Sequence, residues 1–321
     1  MRALVFSRFG GPEVLEWAEV PDPLVPRDGV LVRMEAIGLN FADVYRRRGA
    51  YHLAGSPPYI AGYEGAGVVV AVGPEAREFT CGDRVGFADI PFADAELVAA
   101  PAHKLVSLPS GVSAELAASV LLQGLTAHYL THDSYAVRSG TTMLVHAAAG
   151  GVGQLLVQIG CFLGASVVAL ASSPQKLQVA LALGAQAAWR TTDDWPALAR
   201  ERTSGRGFDV VYDSVGSTLT ESLAAARTGG AVVFYGMAGG DPPPVNPRDL
   251  MDRSLTLTGG DLWNVLTSAA ERRARATTLF EWLEKGKLRA PEVATFPLAE
   301  GARAHELLEG RAHAGKILLI P

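Results

Sequence analysis

At 321 residues the chain is long for one domain and ordinary for two, and a 49% share of hydrophobic residues can fill two cores. A net charge of −5, from 28 Lys+Arg against 33 Asp+Glu, excludes a strongly basic whole-chain surface for nucleic acid. The two cysteines, Cys81 and Cys161, stand far apart, which excludes a disulfide framework or a cysteine-rich zinc module.

The N-terminal stretch MRALVFSRFGGPEVLEW has no apolar segment of the secretory type. Apolar runs are broken by Gly, Gln or charge well short of the roughly 20 residues a membrane helix needs. A soluble, cytoplasmic protein with no membrane partner is expected. Short strands MRALVFS, VLEWAEV, GVLVRMEAIG and GAGVVVAVG come first, most of them separated by Gly or Pro clusters. CGDRVGF and AELVAAPAHKLVSLP continue the pattern, which predicts a partly open β-barrel or a sandwich-like domain. After Gly111 the style changes. ELAASVLLQGLTAHYLTH reads as a helix with a broad apolar face. TTMLVHA, SVVALAS, FDVVYDSV, AVVFYG and SLTLTGG then read as strands, with helices GVGQLLVQIGCFLG, PQKLQVALALG and STLTESLAAAR among them. The alternation predicts an α/β domain, a parallel sheet with helices on both faces. In the tail, SAAERRARATTLFEWLEKGKL reads as a charged helix, and EVATFPL and KILLIP as strands around AEGARAHELLEGR. These strands are expected to return and complete the first domain.

The most informative stretch is His146-Ala147-Ala148-Ala149-Gly150-Gly151-Val152-Gly153, between the strand TTMLV and an apolar helix. A dinucleotide fold needs a tight turn here, so that backbone N–H groups approach a pyrophosphate, and small residues where helix crosses strand. Ala149, Gly150, Gly151, Val152 and Gly153 form that turn. Its pattern is A-x-x-G-x-x-G rather than G-x-G-x-x-G, and the competing reading is a tight turn without a ligand. The next strand ends in Ser172-Ser173-Pro174-Gln175-Lys176, with no acid to bind the ribose hydroxyls of NAD. Hydroxyls with Lys176, and Arg190 at the following strand end, suit a 2′-phosphate, so NADPH is favoured over NADH. The alternative is that both are ordinary solvated charges.

The stretches GGPEVLEW, AIGLNFADVYRRRGAY, AGYEGAGVVVAVG, GDRV, LLQGLTAHYL, HAAAGGVGQL, FDVVYDSVG and AHELLEGRAHAGKILLIP cover nearly the whole chain. Together they resemble the zeta-crystallin-like quinone oxidoreductases of the medium-chain dehydrogenase/reductase superfamily. The resemblance implies a GroES-like β-rich catalytic domain, residues 1–121 and 262–321, around a Rossmann doubly wound domain, residues 122–261. It implies zinc-independent reduction of quinones by NADPH. Asn40, Phe41, Asp43, Tyr45 and Thr126 would lie on the nicotinamide side. Ser172, Lys176 and Arg190 would surround the ribose phosphate, with Ser214, Tyr235, Gly236 and Met237 on the sheet edge above the cofactor. It also implies a homodimer through the Rossmann sheet edge, where AVVFYG and SLTLTGG leave an apolar border. Two positions depart from close relatives: Gln123 stands where they carry a lysine, and Arg190-Thr191 where several carry a tyrosine.

The zinc-dependent cousins use a Cys near the AIG turn and a His in G-H-E. Here Asn40 and Gly62-Tyr63-Glu64 stand there, so no metal is expected. His128 and His132 can share a helix face, but Tyr129 occupies the place of a zincin glutamate. His146 reads either as packing or as support for the cofactor turn. Glu64 reads as a buried brace before an acid, and both cysteines as buried filler before nucleophiles. Arg46, Arg47 and Arg48 read as a solvated face. No G-x-S-x-G elbow supports a hydrolase. Hydride reduction makes a negative oxygen, for which Tyr45, Asn40 and Tyr51 are the candidate hydrogen-bond donors. Quinone reduction leads. Reduction of α,β-unsaturated carbonyls is the alternative, and a cofactor-binding RNA-binding or structural role a third reading, against which the acidic balance weighs.

Overall fold

The computed structural model describes every residue from 1 to 321. The chain runs through β1 (Arg2–Phe6), β2 (Glu16–Glu19), β3 (Gly29–Leu39), α1 (Phe41–Arg47), β4 (Tyr59–Ile60), β5 (Gly65–Val72), β6 (Arg84–Phe87), β7 (Leu97–Pro101), β8 (Val106–Ser107) and α2 (Ala114–Tyr129). It continues with β9 (Thr142–Val145), α3 (Gly151–Phe162), β10 (Ser166–Ala171), α4 (Pro174–Ala182), β11 (Ala187–Arg190), α5 (Trp195–Arg202), β12 (Phe208–Asp213), α6 (Leu219–Ala225), β13 (Ala226–Phe234), α7 (Pro247–Arg253), β14 (Thr256–Gly259) and α8 (Leu262–Val265). The tail holds α9 (Ala269–Glu284), β15 (Val293–Pro297), α10 (Gly301–Glu309) and β16 (Lys316–Ile320). Two compact units result, residues 1–125 with 266–321, and residues 126–265. Each division falls four residues beyond the boundaries read from sequence, 121 and 262.

The first unit is β-rich and GroES-like. Its larger sheet has the order β15-β16-β3-β5-β6-β8, with β7 also on β3, and a smaller sheet has the order β2-β1-β4. The tail enters this unit through β16, which pairs antiparallel with β3, Leu318 opposite Gly38. Val30, Val32, Met34 and Ile37 of β3 join Val69, Val85, Phe87, Ile317 and Leu319 in one core. Each such side chain, fully buried, contributes about 1.5–3 kcal/mol. α1 is too short for periodicity to reveal it. Its signal is the capping box, in which Asn40 accepts from the Asp43 backbone and the Asp43 carboxylate accepts from the Asn40 backbone.

The second unit holds one sheet in the order β11-β10-β9-β12-β13-β14, every pairing parallel. Counted within the unit this is the 3-2-1-4-5-6 order of a Rossmann fold, whose direction reverses between β9 and β12. Met143–Val145 and Val167–Ala171 are fully buried apolar runs, as a sheet covered on both faces demands. α5 is absent from the elements read in sequence, although Asp194 caps it and Pro196 stands in its first turn. The helix read through His132 ends at Tyr129 and passes into a π-helical turn, Leu130–Ser134. No helix is long and apolar enough to cross a membrane.

Candidate active site

In the second unit, the turn after β9 forms as a sharp reversal. Ala147 takes the left-handed conformation at φ 47°, and its carbonyl accepts from the Gly150 N–H at 2.8 Å. A non-glycine residue there costs about 1 kcal/mol or more, and such strain clusters at ligand sites. Gly153 is a steric requirement. A Cβ on it would stand 2.3 Å from the Ala147 carbonyl oxygen and 2.8 Å from the Ala148 Cα. α3 starts on Gly150 with no side chain capping it. Its first-turn N–H groups, from Gly151 to Gly153, have no carbonyl within the helix to bond, and they favour an anion at this end.

The other candidates of this unit fall at the same, carboxyl-terminal edge of the sheet. Ser172 follows β10. Arg190 ends β11 in register with Ala171, beside it. Lys176 lies in the first turn of α4, where the Ser173 hydroxyl accepts from its backbone N–H at 3.3 Å. A cation in the first helical turn opposes the helix dipole by about 0.3–1 kcal/mol, so its place there is not a stability device. Ser214 follows β12, and Tyr235, Gly236 and Met237 follow β13; the Ser214 carbonyl accepts from the Ala238 N–H at 3.0 Å. Thr126, in the last turns of α2, is buried.

In the first unit, α1 and the chain after it carry the aromatic candidates. The Tyr45 ring meets Tyr51 edge-on at 6.4 Å and Phe41 tilted at 6.3 Å. The Arg46 guanidinium lies 3.5 Å from the Tyr63 ring centroid and 5.1 Å from that of Tyr51, and bonds Asp43 at 3.1 Å. Arg46 and Arg47 are buried, so the basic run read as a solvated face is one only at Arg48. The reason is ion pairing: Arg46 meets Asp43, and Arg47 meets Glu309 of α10.

Asn40 is the centre of a buried polar network. Its Nδ2 donates to the Gly38 carbonyl at 3.0 Å and to Glu64 Oε2 at 2.8 Å. Its Oδ1 accepts from Lys316 Nζ at 2.9 Å and from Gln123 Nε2 at 3.2 Å. Both amide hydrogens are engaged, so the expected donor to a substrate oxygen is instead a brace under α1. Glu64 and Lys316 form an ion pair at 2.6 Å with neither side chain exposed, and the other Glu64 oxygen accepts from the Leu122 N–H at 2.7 Å. Gly38 permits this approach, since a Cβ there would stand 2.3 Å from Glu64 Oε2. Nothing in the sequence marks Lys316 and Gln123 as partners of Asn40. They lie 276 and 83 residues from it, and no local pattern links them.

Histidines and cysteines offer little nucleophilic or metal chemistry. The His128 and His132 rings stack at 4.3 Å, and no cluster of three or more His, Cys, Asp or Glu side chains is placed to share a metal. Cys161 is half-buried and burial pushes its thiol up; Cys81 is exposed, not the buried filler read from sequence.

Residues 26–139 match the alcohol dehydrogenase GroES-like domain, and residues 151–279 the zinc-binding dehydrogenase domain. Zinc does not fit the residues present: Asn40 is consumed by its network, and the Tyr63 hydroxyl accepts from the Ala54 N–H at 2.8 Å. Among curated proteins, the quinone oxidoreductase of Pseudomonas aeruginosa is 42% identical over 100% of this chain and 99% of its own. The 2-haloacrylate reductase of a Burkholderia species is 38% identical over 99% and 98%. Among solved structures, Escherichia coli quinone oxidoreductase complexed with NADPH superposes with a TM-score of 0.96 at 36% identity, covering 100% of both chains.

Proposed function

The chain belongs to the quinone oxidoreductase family of the medium-chain dehydrogenase/reductase superfamily, and from that premise we propose that it reduces quinones with NADPH and without a metal. The observation that carries this reading is the full-length likeness to the NADPH-complexed enzyme, on a sheet edge with Ser172 and Lys176 in place of an acid. The N–H groups of Gly151, Val152 and Gly153 would hold the pyrophosphate, and Ser172, Lys176 and Arg190 the 2′-phosphate. NADPH supplies the hydride. Tyr45 would donate its hydroxyl hydrogen to the oxygen that becomes negative, with Tyr51 packed edge-on to fix the ring. Asn40 and Asp43 hold the helix that carries Tyr45.

Reduction of α,β-unsaturated carbonyls is the second reading, favoured by the 2-haloacrylate reductase among the relatives. It uses the same cofactor and the same oxyanion donor. A panel of quinones and enones with NADPH separates the two; turnover of enones alone would replace the first reading with the second. We further propose a cytoplasmic homodimer joined at β14, the edge strand, whose Thr256 and Gly259 are exposed with Leu257 half-buried. Light scattering at micromolar concentration giving a monomer mass would refute the dimer.

A further inference from the structure

Beside the turn after β9 lies a buried cluster that the proposed chemistry does not use. His146, Asp213 and Ser222 are each no more than 1% exposed. Ser222 Oγ donates to Asp213 Oδ2 at 2.6 Å and lies 3.0 Å from His146 Nε2. Since the hydroxyl hydrogen goes to the carboxylate, Ser222 accepts from His146, which carries its proton on Nε2. Burial lowers the His146 pKa and keeps the ring neutral. The order His–Ser–Asp, with the serine donating to the acid, is the reverse of an activated nucleophile. With all three side chains buried, the cluster is no hydrolytic triad.

Its position tells what it does. Asp213 ends β12 and His146 follows β9, the two parallel neighbours between which the strand order reverses. Asp213 Oδ1 accepts from the N–H groups of Val215 and Gly216 at 2.8 and 3.1 Å, and Oδ2 from the Thr218 hydroxyl at 2.9 Å. Those bonds shape the loop that carries Ser214. Although burial pushes the Asp213 carboxyl up, the hydrogen bonds from Ser222, Val215 and Gly216 hold it below the usual carboxylate range. His146 precedes Ala147, the strained residue of the turn, and its ring packs perpendicular to Trp195 at 5.1 Å.

We infer that His146, Ser222 and Asp213 form a positioning relay that locks the pyrophosphate turn to the Ser214 loop across the switch point, and so sets the affinity for the whole dinucleotide. The inference rests on the NADPH reading above. Because the relay orders the pyrophosphate turn and not the 2′-phosphate site, its loss weakens NADPH and NADH alike.

The test uses the full chain with Ser222→Ala, His146→Leu and His146→Gln. Glutamine places an amide Nε2 where the imidazole Nε2 stands, so it keeps the bond to Ser222. Hydrogen exchange of the ligand-free proteins is read over residues 146–153 and 213–218, and both cofactors are titrated by fluorescence. Ser222→Ala and His146→Leu are expected to speed exchange in both segments and to weaken NADPH and NADH by a common factor of roughly ten. His146→Gln is expected to stay within about threefold of the parent. Unchanged exchange and unchanged dissociation constants in Ser222→Ala would overturn the relay. If Ser222→Ala does not fold, the histidine pair decides: equal behaviour of His146→Leu and His146→Gln overturns it. If the parent chain binds no NADPH, the proposed function falls, while hydrogen exchange still judges the relay.

Discussion

Replacing Lys316 by Met removes one half of a buried ion pair and leaves Glu64 as an uncompensated charge. The two side chains meet at 2.6 Å with 0% exposure each, so water cannot screen or solvate what remains. Breaking such a pair costs about 3–5 kcal/mol, and Asn40 Oδ1 also loses a donor 2.9 Å away. Against a total stability of about 5–15 kcal/mol this is a large fraction. Urea unfolding followed by far-UV circular dichroism should show the midpoint falling on the order of 2 M. The double variant Glu64→Gln/Lys316→Met removes the pair as a unit. It should recover most of the loss, because replacing both charges by neutral groups of similar size is often close to neutral. A cost below about 1 kcal/mol for Lys316→Met, or no recovery in the double variant, would refute the view of the pair as a coupled buried unit.

Other perturbations reach the cofactor, the substrate and the pH response. Lys176→Ala should weaken NADPH by roughly 10–100-fold and leave NADH nearly unchanged in fluorescence titrations, since one charged hydrogen bond to phosphate is worth about 1.5–3 kcal/mol. Equal losses would make Lys176 a structural residue. Tyr45→Phe should lower quinone turnover by about a hundredfold, the lower range for an oxyanion donor, with NADPH binding retained; unchanged kcat would move the role to another donor. His305 is wholly buried, and burial with Arg47 nearby lowers its pKa to about 3. The unfolded chain takes up this proton below about pH 6.5, so the contribution to stability is intact above that pH and is lost as pH falls toward the folded value. Between pH 6.5 and 5 this amounts to about 2 kcal/mol. In His305→Leu the stability difference between neutral pH and pH 5 should shrink by that amount, and an unaltered acid limb would contradict it.

What was legible in the sequence is what is local. The strand, glycine turn and apolar helix at 142–162 form one contiguous pattern, and the structure builds them as β9 and α3. The absence of an acid after β10 is equally local. The buried networks are not. Glu64 and Lys316 are 252 residues apart, and His146 and Ser222 are 76 apart. Each looks like an ordinary polar residue until the chain closes around it. Asn40 shows the consequence: in sequence it is a candidate donor to the oxygen that becomes negative, but the fold spends its amide hydrogens on Gly38 and Glu64. Arg46 and Arg47 look solvated in sequence for the same reason, because their carboxylate and aromatic partners lie on other elements, apart from Asp43 one turn away.

The central claim is that this chain oxidises NADPH with quinones and needs no metal. Chelator-treated protein, assayed for metal and mixed with NADPH and a simple benzoquinone, tests it through the loss of reduced-nicotinamide absorbance. The account predicts metal-free turnover that saturates in both NADPH and quinone, with NADH at least about tenfold less effective. Turnover that disappears with the metal and returns on adding zinc, or no oxidation with any quinone, would contradict it.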